Sequence, residues 1–242
     1  MNKLHENHWQ SRTELLIGEK NIKQLNKSHV LVAGLGGVGA MAAEQLVRAG
    51  IGELTIADSD VVSLSNINRQ LPAMHSTLGK NKAEIMAERL TDINPELIVH
   101  VVTDYLKDEQ LIHLVSQPYD YVLDAIDTLS PKLYLIVKSL ENRQRIVSSM
   151  GAGAKLDPTK IQVADISGTH TCQLASQLRK RLSKHNIKSG FKAVFSSEER
   201  IKESMVHTDE VMNKKTNVGT ISYMPAVFGC ICASVVIRDL IG

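Results

Sequence analysis

The sequence predicts an α/β fold in which a mostly parallel sheet carries helices on both faces, followed by a less regular C-terminal extension. Short runs of β-branched residues alternate with longer helical patterns, which is typical of a parallel sheet flanked by helices. A glycine-rich turn at 34–39 joins one such run to a helical pattern, and Asp58 closes the next run. Together these observations predict a Rossmann-like nucleotide-binding fold.

The elements of the sheet are predicted in chain order from local patterns. Runs rich in aliphatic residues predict five strands, at 29–33, 54–57, 98–102, 121–125 and 146–149. A pattern rich in small residues predicts a helix at 38–49 that ends at Gly50, and a second helix at 80–93 stops before Pro95. A third helix is predicted at 131–142.

The pattern becomes less regular beyond Gly151. Residues 161–165 alternate like an edge strand, and 172–185 predict a basic helix. The polar, charge-rich segment 196–217 is predicted to be the most mobile part of the chain. The apolar run 221–237 is shorter than the roughly 20 residues that a membrane helix needs, so we expect a packed terminal helix without membrane contact.

We predict one domain over residues 1–242. It comprises a helical N-terminal arm (1–28), a nucleotide-binding core (29–150) and a substrate-side extension with the C-terminal helix (151–242). The formal net charge of +2 is small for a protein that binds nucleic acid with its whole surface. The three cysteines predict no disulfide framework, and together with an N-terminus that lacks a signal-peptide pattern they predict a cytoplasmic location.

The glycine-rich turn predicts a phosphate-binding loop. Glycine lets backbone N–H groups approach a phosphate closely, and the N-terminus of the following helix contributes partial positive charge. A carboxylate at the end of the second strand is placed to accept hydrogen bonds from ribose hydroxyls. The candidate nucleotide-binding residues here are Gly34, Gly36, Gly37, Gly39 and Asp58. This part of the pattern fits NAD and ATP equally well.

A cluster of polar side chains further along the chain favours ATP. Asn66 and Arg69 follow the ribose acid, and Lys82 stands near the start of the next helix. Attack on an α-phosphate builds negative charge that cations stabilise, whereas hydride transfer needs no such cluster. Asp127, at the end of the fourth strand, is a candidate for holding Mg²⁺ or orienting the triphosphate. The alternatives are surface salt bridges for the two basic residues, a turn role for the asparagine and a helix N-cap for the aspartate.

These motifs resemble the ubiquitin-activating-like adenylating superfamily, which includes the bacterial ThiF, MoeB and HesA group. The resemblance covers roughly residues 12–149 and is carried by Gly34-Leu-Gly-Gly-Val-Gly39, Asp58, Asn66-Ile-Asn-Arg69-Gln70, Lys82 and Asp124-Ala-Ile-Asp127. It implies that these residues line a site for ATP and Mg²⁺, with Arg69, Lys82 and Asp127 in catalytic roles. It also implies a homodimer in which Arg12 is contributed across the interface.

Within the superfamily, the chain is most similar to the branch of dehydratases that act on threonylcarbamoyladenosine in tRNA. The similarity is carried by residues 12–18, 151–153, 156–163 and 194–198. It implies that ATP adenylates the threonyl carboxylate of this nucleoside beside the anticodon, and that ring closure follows with net loss of water. It implies tRNA as a partner. A monovalent cation and a cysteine desulfurase or sulfur-acceptor partner are further candidates.

Three other functions compete with this interpretation. An activator of a small ubiquitin-like sulfur-carrier protein would also adenylate a carboxylate. Many such activators hold zinc with two CxxC pairs, which this sequence lacks, so we expect no zinc. Cys172 would be the thioester-forming residue in that case, although a structural role is favoured. An NAD-dependent oxidoreductase would use the glycine loop but not the polar cluster, and a non-catalytic scaffold would not need complete motifs.

A basic patch is the candidate RNA-contacting surface. It consists of six residues on and just after the predicted basic helix, namely Arg179, Lys180, Arg181, Lys184, Lys188 and Lys192. Under this hypothesis the patch meets tRNA phosphates, each contact adding to the salt dependence of binding. The alternative is a solvated helix face with no partner.

Overall fold

A computed structural model of the chain describes residues 8–104, 108–211 and 214–242. Seven strands form one sheet in the order β3-β2-β1-β4-β5-β7-β6, in which all neighbours are parallel except β6 and β7. The strands are β1 His29–Ala33, β2 Glu53–Ala57, β3 Ile98–Val102, β4 Tyr121–Asp124, β5 Ile146–Ser149, β6 Ile161–Asp165 and β7 Lys192–Ser196. A separate hairpin pairs β8 Met205–Val211 with β9 Lys214–Val218.

Eight helices surround the sheet within the described ranges. They are α1 Ser11–Ile17, α2 Glu19–Asn26, α3 Gly39–Ala49, α4 Lys82–Ile93, α5 Asp108–Val115, α6 Leu129–Glu141, α7 Gln173–Leu182 and α8 Tyr223–Ile241. Alternate residues of the strands face two separate cores. Val30 and Val32 belong to the core covered by α3, α4 and α8, whereas Leu31 and Ala33 belong to the core covered by α5, α6 and α7. The predicted α/β fold with helices on both faces is therefore confirmed.

The strand order reverses between β1 and β4. All five predicted strands are present, each within one residue of its predicted bounds. In a sheet of this kind, ligands bind outside the carboxyl ends of the strands at the point where the order reverses. The glycine loop leaves the carboxyl end of β1, and the 125–127 turn leaves that of β4, so both lie at this point.

Local capping explains where two helices begin. Helix α4 begins at Lys82 rather than at residue 80, because Asn81 Oδ1 accepts hydrogen bonds from the backbone N–H groups of Ala83 and Glu84, at 2.8 and 3.3 Å. Helix α6 begins two residues before Pro131, which leaves the proline in the first turn, where a backbone N–H has no helical partner to lose.

Strand β7 and helix α5 were not predicted, and neither were the hairpin strands β8 and β9. Strand β7 inserts between β5 and β6, so 161–165 is an edge strand, as predicted. Strand β7 begins with a lysine and ends with a serine, so only three apolar residues, Ala193 to Phe195, lie between them. A run of three is too short to show the alternation of a strand. All three are buried, because the strand has a neighbour on either side.

The segment 196–217, which is predicted to be the most mobile, contains regular structure. The segment contains a short 3-10 turn, Lys202–Ser204, and most of the β8–β9 hairpin. Polar sequence does not exclude a hairpin, because the two strands satisfy each other's backbone groups without requiring a buried face. The mobility of this segment stays a prediction.

Helix α8 completes the larger core. Within the described residues it is the one helix long and apolar enough to span a membrane, with a mean hydropathy of 1.8 over its most apolar stretch. Half of that stretch is buried inside the protein. Its residues Phe228 and Cys232 are fully buried against the sheet and α3. Gly229 permits this contact, because an added Cβ would lie 2.4 Å from the carbonyl oxygen of Val38. The predicted packed terminal helix is confirmed.

One ion-pair network links helices α3 and α4. Glu44 accepts hydrogen bonds from Arg48 Nε at 2.8 Å and Arg89 Nε at 2.6 Å, and its side chain is 8% exposed. Burial alone would raise the pKa of Glu44, but the hydrogen bonds from the two arginines outweigh it and hold the pKa below its usual value.

Candidate functional site

The glycine loop has a conformation that only glycine satisfies at two positions. Gly34 has φ +89°, and an added Cβ there would lie 2.9 Å from the carbonyl oxygen of Ala125. At Gly39 an added Cβ would lie 1.7 Å from the carbonyl oxygen of Gly34, because the loop folds back tightly onto itself before α3. No side chain caps the N-terminus of α3. Its first N–H groups and partial positive charge are therefore directed at the loop, as an anion-binding site requires.

The carboxylate of Asp58 is tied to the same loop. Its Oδ2 accepts a hydrogen bond from the backbone N–H of Leu35 at 2.6 Å, and its Oδ1 accepts one from Asp60 at 2.8 Å. Burial raises the pKa of Asp58, an effect opposed by the charge of Lys82 and by these two hydrogen bonds. Each carboxylate oxygen retains a lone pair for a further donor. The residue thus joins the end of β2 to the glycine loop and keeps capacity for ribose hydroxyls.

Lys82 has a partner that the sequence did not reveal. The side chain is almost fully buried, and its Nζ donates to Asp60 Oδ2 at 2.8 Å, while Asp60 itself is largely exposed. The ammonium group therefore binds a solvent-facing carboxylate, and its charge also acts on Asp58. The spacing Asp58-Ser-Asp60 after a strand is the signal that could have indicated the second carboxylate.

Asn66 and Arg69 lie on the loop that follows β2. Asn66 is buried, and its Oδ1 accepts from the Ser63 backbone N–H at 3.1 Å, which is the turn role foreseen as the alternative. Arg69 donates to the carbonyl of Ser65 and to Asn68 Oδ1, both at 2.8 Å. Burial lowers the pKa of Arg69, and the nearby negative charge of Asp127 opposes that effect. The two side chains are therefore near enough for their charges to interact, although 58 residues separate them in sequence.

A buried ion pair holds the turn that carries Asp127. Lys132 and Asp124 are both fully buried, with Nζ 2.7 Å from Oδ2. The same ammonium donates to the carbonyl of Ile126 at 2.8 Å, and Asp124 Oδ1 accepts from the Ile126 N–H at 3.1 Å. Ser148 completes the cluster by donating to Asp124 Oδ2 at 2.6 Å. Both backbone groups of the residue before Asp127 are therefore bound by one charge pair, which the sequence analysis had not identified.

Comparison with known proteins places this geometry in a family. The ThiF family model matches residues 10–242 of the chain. The chain belongs to the ThiF family. It is 40% identical over 241 residues to the tRNA threonylcarbamoyladenosine dehydratase of Bacillus subtilis strain 168. The aligned region covers 97% of this chain and 95% of that relative.

A solved structure shows the same fold along nearly the whole ThiF-family chain. The Escherichia coli tRNA N6-threonylcarbamoyladenosine dehydratase in complex with ATP matches with a TM-score of 0.87 and 37% identity, covering 97% of this chain and 96% of that one. The same protein in complex with AMP matches equally well, with a TM-score of 0.87. By contrast, the E. coli molybdopterin-synthase adenylyltransferase is 37% identical over only 133 residues, or 55% of this chain and 52% of that relative.

Arg12 of this ThiF-family chain lies apart from the polar cluster in sequence and on a different element. It is exposed on α1, next to the exposed side chains of Leu15 and Leu16. Among the described residues it forms no hydrogen bond or ion pair. The predicted contribution of Arg12 across a dimer interface stays a prediction.

Two of the three cysteines are buried, whereas Cys230 is exposed on α8. Cys172 is buried and precedes the first residue of α7. Cys232 is fully buried in α8, and burial raises the pKa of its thiol to about 12. A thiol of that pKa is neutral at physiological pH, so Cys232 is not a thiolate nucleophile.

The structure divides the predicted basic patch. Lys180, Arg181, Lys184 and Lys188 are exposed on α7 and the turn after it. Arg179 is half-buried and donates to the carbonyl and the hydroxyl of Thr169, so it braces the loop before α7. Lys192 lies on β7 and pairs with Asp239 of α8 at 2.5 Å. Four of the six basic side chains are therefore exposed to a phosphate backbone, although Arg181 also donates to Ser130 Oγ at 3.1 Å, and Arg179 and Lys192 are held by partners within the protein.

Proposed function

We propose that this protein uses ATP to adenylate the threonyl carboxylate of threonylcarbamoyladenosine in tRNA and then promotes its cyclisation. The observation that carries the proposal is the meeting of an anion-binding loop, a ribose-type carboxylate, Arg69 and Asp127 at the carboxyl edge of the sheet. A dehydratase that is 37% identical along nearly the whole chain takes up ATP in the same fold. A hydride-transfer enzyme would not need the Arg69–Asp127 interaction, so the geometry favours ATP over NAD.

The site residues divide the work of the first step. The N–H groups of the glycine loop hold phosphate oxygens, with Gly36 facing the side chain of Gln70 and Gly37 facing the Arg69 carbonyl. Asp58 accepts the ribose hydroxyls. Arg69 and Lys82 stabilise the charge that develops when a carboxylate oxygen attacks the α-phosphorus and pyrophosphate leaves.

Asp127 is the residue best placed to hold Mg²⁺. Its carboxylate is exposed at the end of β4, and an oxygen ligand near the triphosphate is what Mg²⁺ prefers. The metal would neutralise the charge on the leaving pyrophosphate. The Asp124–Lys132 pair fixes the backbone just before Asp127, and so orients this carboxylate without touching the nucleotide.

Cyclisation follows from the first step. Adenylation converts the carboxylate, a poor electrophile, into an acyl-adenylate whose leaving group is AMP. The carbamoyl group of the same nucleoside attacks the acyl carbon, loses its proton and expels AMP. The balance is ATP consumed, AMP and pyrophosphate released, and one molecule of water lost from the nucleoside.

A homodimer and a tRNA contact complete the proposal. The exposed leucines beside Arg12 on α1 support an interface there, across which Arg12 would reach the partner's triphosphate. The four exposed basic residues of the α7 region provide a cationic face for the anticodon stem. A monovalent cation and a sulfur-handling protein partner are further candidates that follow from the family resemblance alone.

The deciding experiment incubates the protein with ATP, Mg²⁺ and tRNA that carries threonylcarbamoyladenosine. We expect AMP release together with loss of one water from the nucleoside, read by mass spectrometry after digestion. Arg69→Ala and Asp127→Asn should each lower the rate about 10²- to 10³-fold, as loss of a group stabilising the transition state does. Arg238→Ala, an exposed arginine on α8, is the matched control and should leave the rate unchanged.

The same experiment separates the alternative function. If the nucleoside stays intact while a small ubiquitin-like carrier protein elicits AMP release, the chain is a carrier activator instead. If neither substrate elicits AMP, the proposal reduces to nucleotide binding.

A further inference from the structure

Two histidines and a glutamate, whose side chains are of types that can ligate a metal ion, converge at the amino-terminal part of the sheet. The ligand atoms of His29, Glu53 and His100 all lie within 4.8 Å of one another. Glu53 Oε1 is 2.8 Å from His100 Nε2 and 3.5 Å from His29 Nδ1. The parallel register explains the cluster. His29 is paired with Glu53 and Thr55 with His100, so all four side chains project from the same face of β1, β2 and β3.

We propose that His29, Glu53 and His100 bind one divalent transition-metal ion, with Zn²⁺ as the best match. Imidazole nitrogen and carboxylate oxygen are both Zn²⁺ ligands at about 2.0–2.2 Å, so two ligands of a tetrahedral ion lie roughly 3.3 Å apart. The separations of 2.8 and 3.5 Å around Glu53 Oε1 bracket that distance. Three protein ligands leave a fourth position for water. The lack of CxxC pairs excludes a cysteine zinc site but not a site of this composition.

His29 is already oriented as a ligand. Its Nε2 lies 2.9 Å from the hydroxyl oxygen of the buried Thr55, so donation from Nε2–H leaves the Nδ1 lone pair directed toward Glu53. The backbone N–H of His29 donates to Asp120 Oδ2 at 2.8 Å, and the Tyr119 ring packs edge-on against the imidazole. A metal-ligating histidine ordinarily has such a partner on its other nitrogen.

The electrostatics of the cluster also favour a cation. Two carboxylates lie beside His29, because Glu53 approaches its Nδ1 and Asp120 accepts from its backbone N–H. Within the described ranges, the ion-pair partners of Glu53 are the two histidines alone, and no lysine or arginine neutralises it. The side chain of His100 is 51% exposed, which provides an entry path.

The proposed site is separate from the ATP site. The glycine loop follows the last residue of β1, whereas His29 is its first residue. Five residues of strand place the two ends roughly 13 Å apart at about 3.3 Å per residue. The metal would connect three parallel strands at one edge of the sheet, and its presence or absence is independent of the proposed dehydratase function.

The test uses the untagged full chain, stripped with EDTA and kept free of nucleotide. Titration with Zn²⁺ in a calorimeter should give one tight equivalent, and Co²⁺ should give the visible absorption of a four- or five-coordinate ion. Zn²⁺ should raise the melting temperature, because a ligand that binds only the folded state stabilises it. His100→Ala and Glu53→Gln should each weaken binding at least tenfold. His113→Ala, an exposed histidine on α5, and Asp127→Ala should both retain it.

Two results would overturn the proposal. One is the absence of saturable binding by the parent chain. The other is parent-like binding by both ligand variants, which would mean that Zn²⁺ sits elsewhere and that the cluster is only a hydrogen-bonded group. Melting in EDTA shows whether each variant is folded. If Glu53→Gln does not fold, His100→Ala decides, because the His100 side chain is half exposed on an edge strand.

Discussion

Replacing Lys132 by methionine should strongly destabilise the protein, although the change removes no apolar contact. The ammonium and the Asp124 carboxylate are both fully buried, 2.7 Å apart. At an effective dielectric constant of about 20, their attraction is roughly 6 kcal/mol, which sets an upper limit. Asp124 would keep two hydrogen bonds, from Ser148 and from the Ile126 N–H. We therefore expect a loss of about 3–5 kcal/mol, typical of a buried charge left without its partner.

The pair also predicts that removing both charges is tolerated. Asp124→Asn can keep the bond from the Ile126 N–H at its Oδ1, while its Nδ2 donates to the Ser148 hydroxyl, which then acts as acceptor. Methionine fills the volume of the lysine stem. The double variant should lose only about 1–2 kcal/mol, mostly for the carbonyl of Ile126, which loses its donor. Lys138→Met is a matched control on the same helix, because Lys138 pairs with Glu141 at the same 2.7 Å distance but in a more exposed position. That change should cost less than about 1 kcal/mol.

Urea unfolding at pH 7 measures five proteins, namely the parent, Lys132→Met, Asp124→Asn, the double variant and Lys138→Met. The midpoint and slope of each transition give the free energy of unfolding, and the cycle of single and double variants gives the coupling energy. A Lys132→Met protein within about 1 kcal/mol of the parent would refute the reasoning. So would a double variant as unstable as the single one, because the loss would then come from packing rather than from the unpaired charge.

Three further changes test other parts of the structure. Glu44→Gln should lower the free energy of unfolding by about 1–2 kcal/mol at pH 7. Because the pKa of Glu44 is held below its usual value near 4.5, this stabilisation is complete above that value and disappears as the pH falls through the lowered pKa. The unfolding curves of parent and variant should therefore converge in acid, and a constant difference would contradict the ion-pair account. Gly229→Ala should lower the free energy of unfolding by about 1–3 kcal/mol, because the added Cβ would lie 2.4 Å from the carbonyl oxygen of Val38. A variant that unfolds at a higher urea concentration than the parent would show that the helix propensity of alanine outweighs this overlap. Replacing both Lys184 and Lys188 by glutamate should weaken tRNA binding. It should also reduce the slope of log affinity against log salt concentration by about 1 per lost phosphate contact. Lys27→Glu, at an exposed lysine on another face, should change neither quantity, and equal affinity of the parent and both variants would exclude the patch as an RNA-binding surface.

The sequence alone determined the framework of this protein. The five strands of the core, the glycine loop between β1 and α3 and the acid at the end of β2 were all predicted close to where they lie. These features depend on neighbours in the chain, because strand and helix periods and the conformational freedom of glycine act over a few residues. The motifs in their order also indicated the family that comparison then confirmed.

The tertiary structure decided which side chains meet. Lys82 pairs with Asp60, the lysine of α6 pairs with the aspartate of β4, and Arg179 and Lys192 turn away from the patch to partners of their own. His100 and Glu53 touch although 47 residues separate them, because β2 and β3 are in register. Such contacts depend on strand order and on burial, which place distant residues within hydrogen-bond distance. A single sequence carries no local pattern for that distance, so the framework was predictable and the partners within it were not.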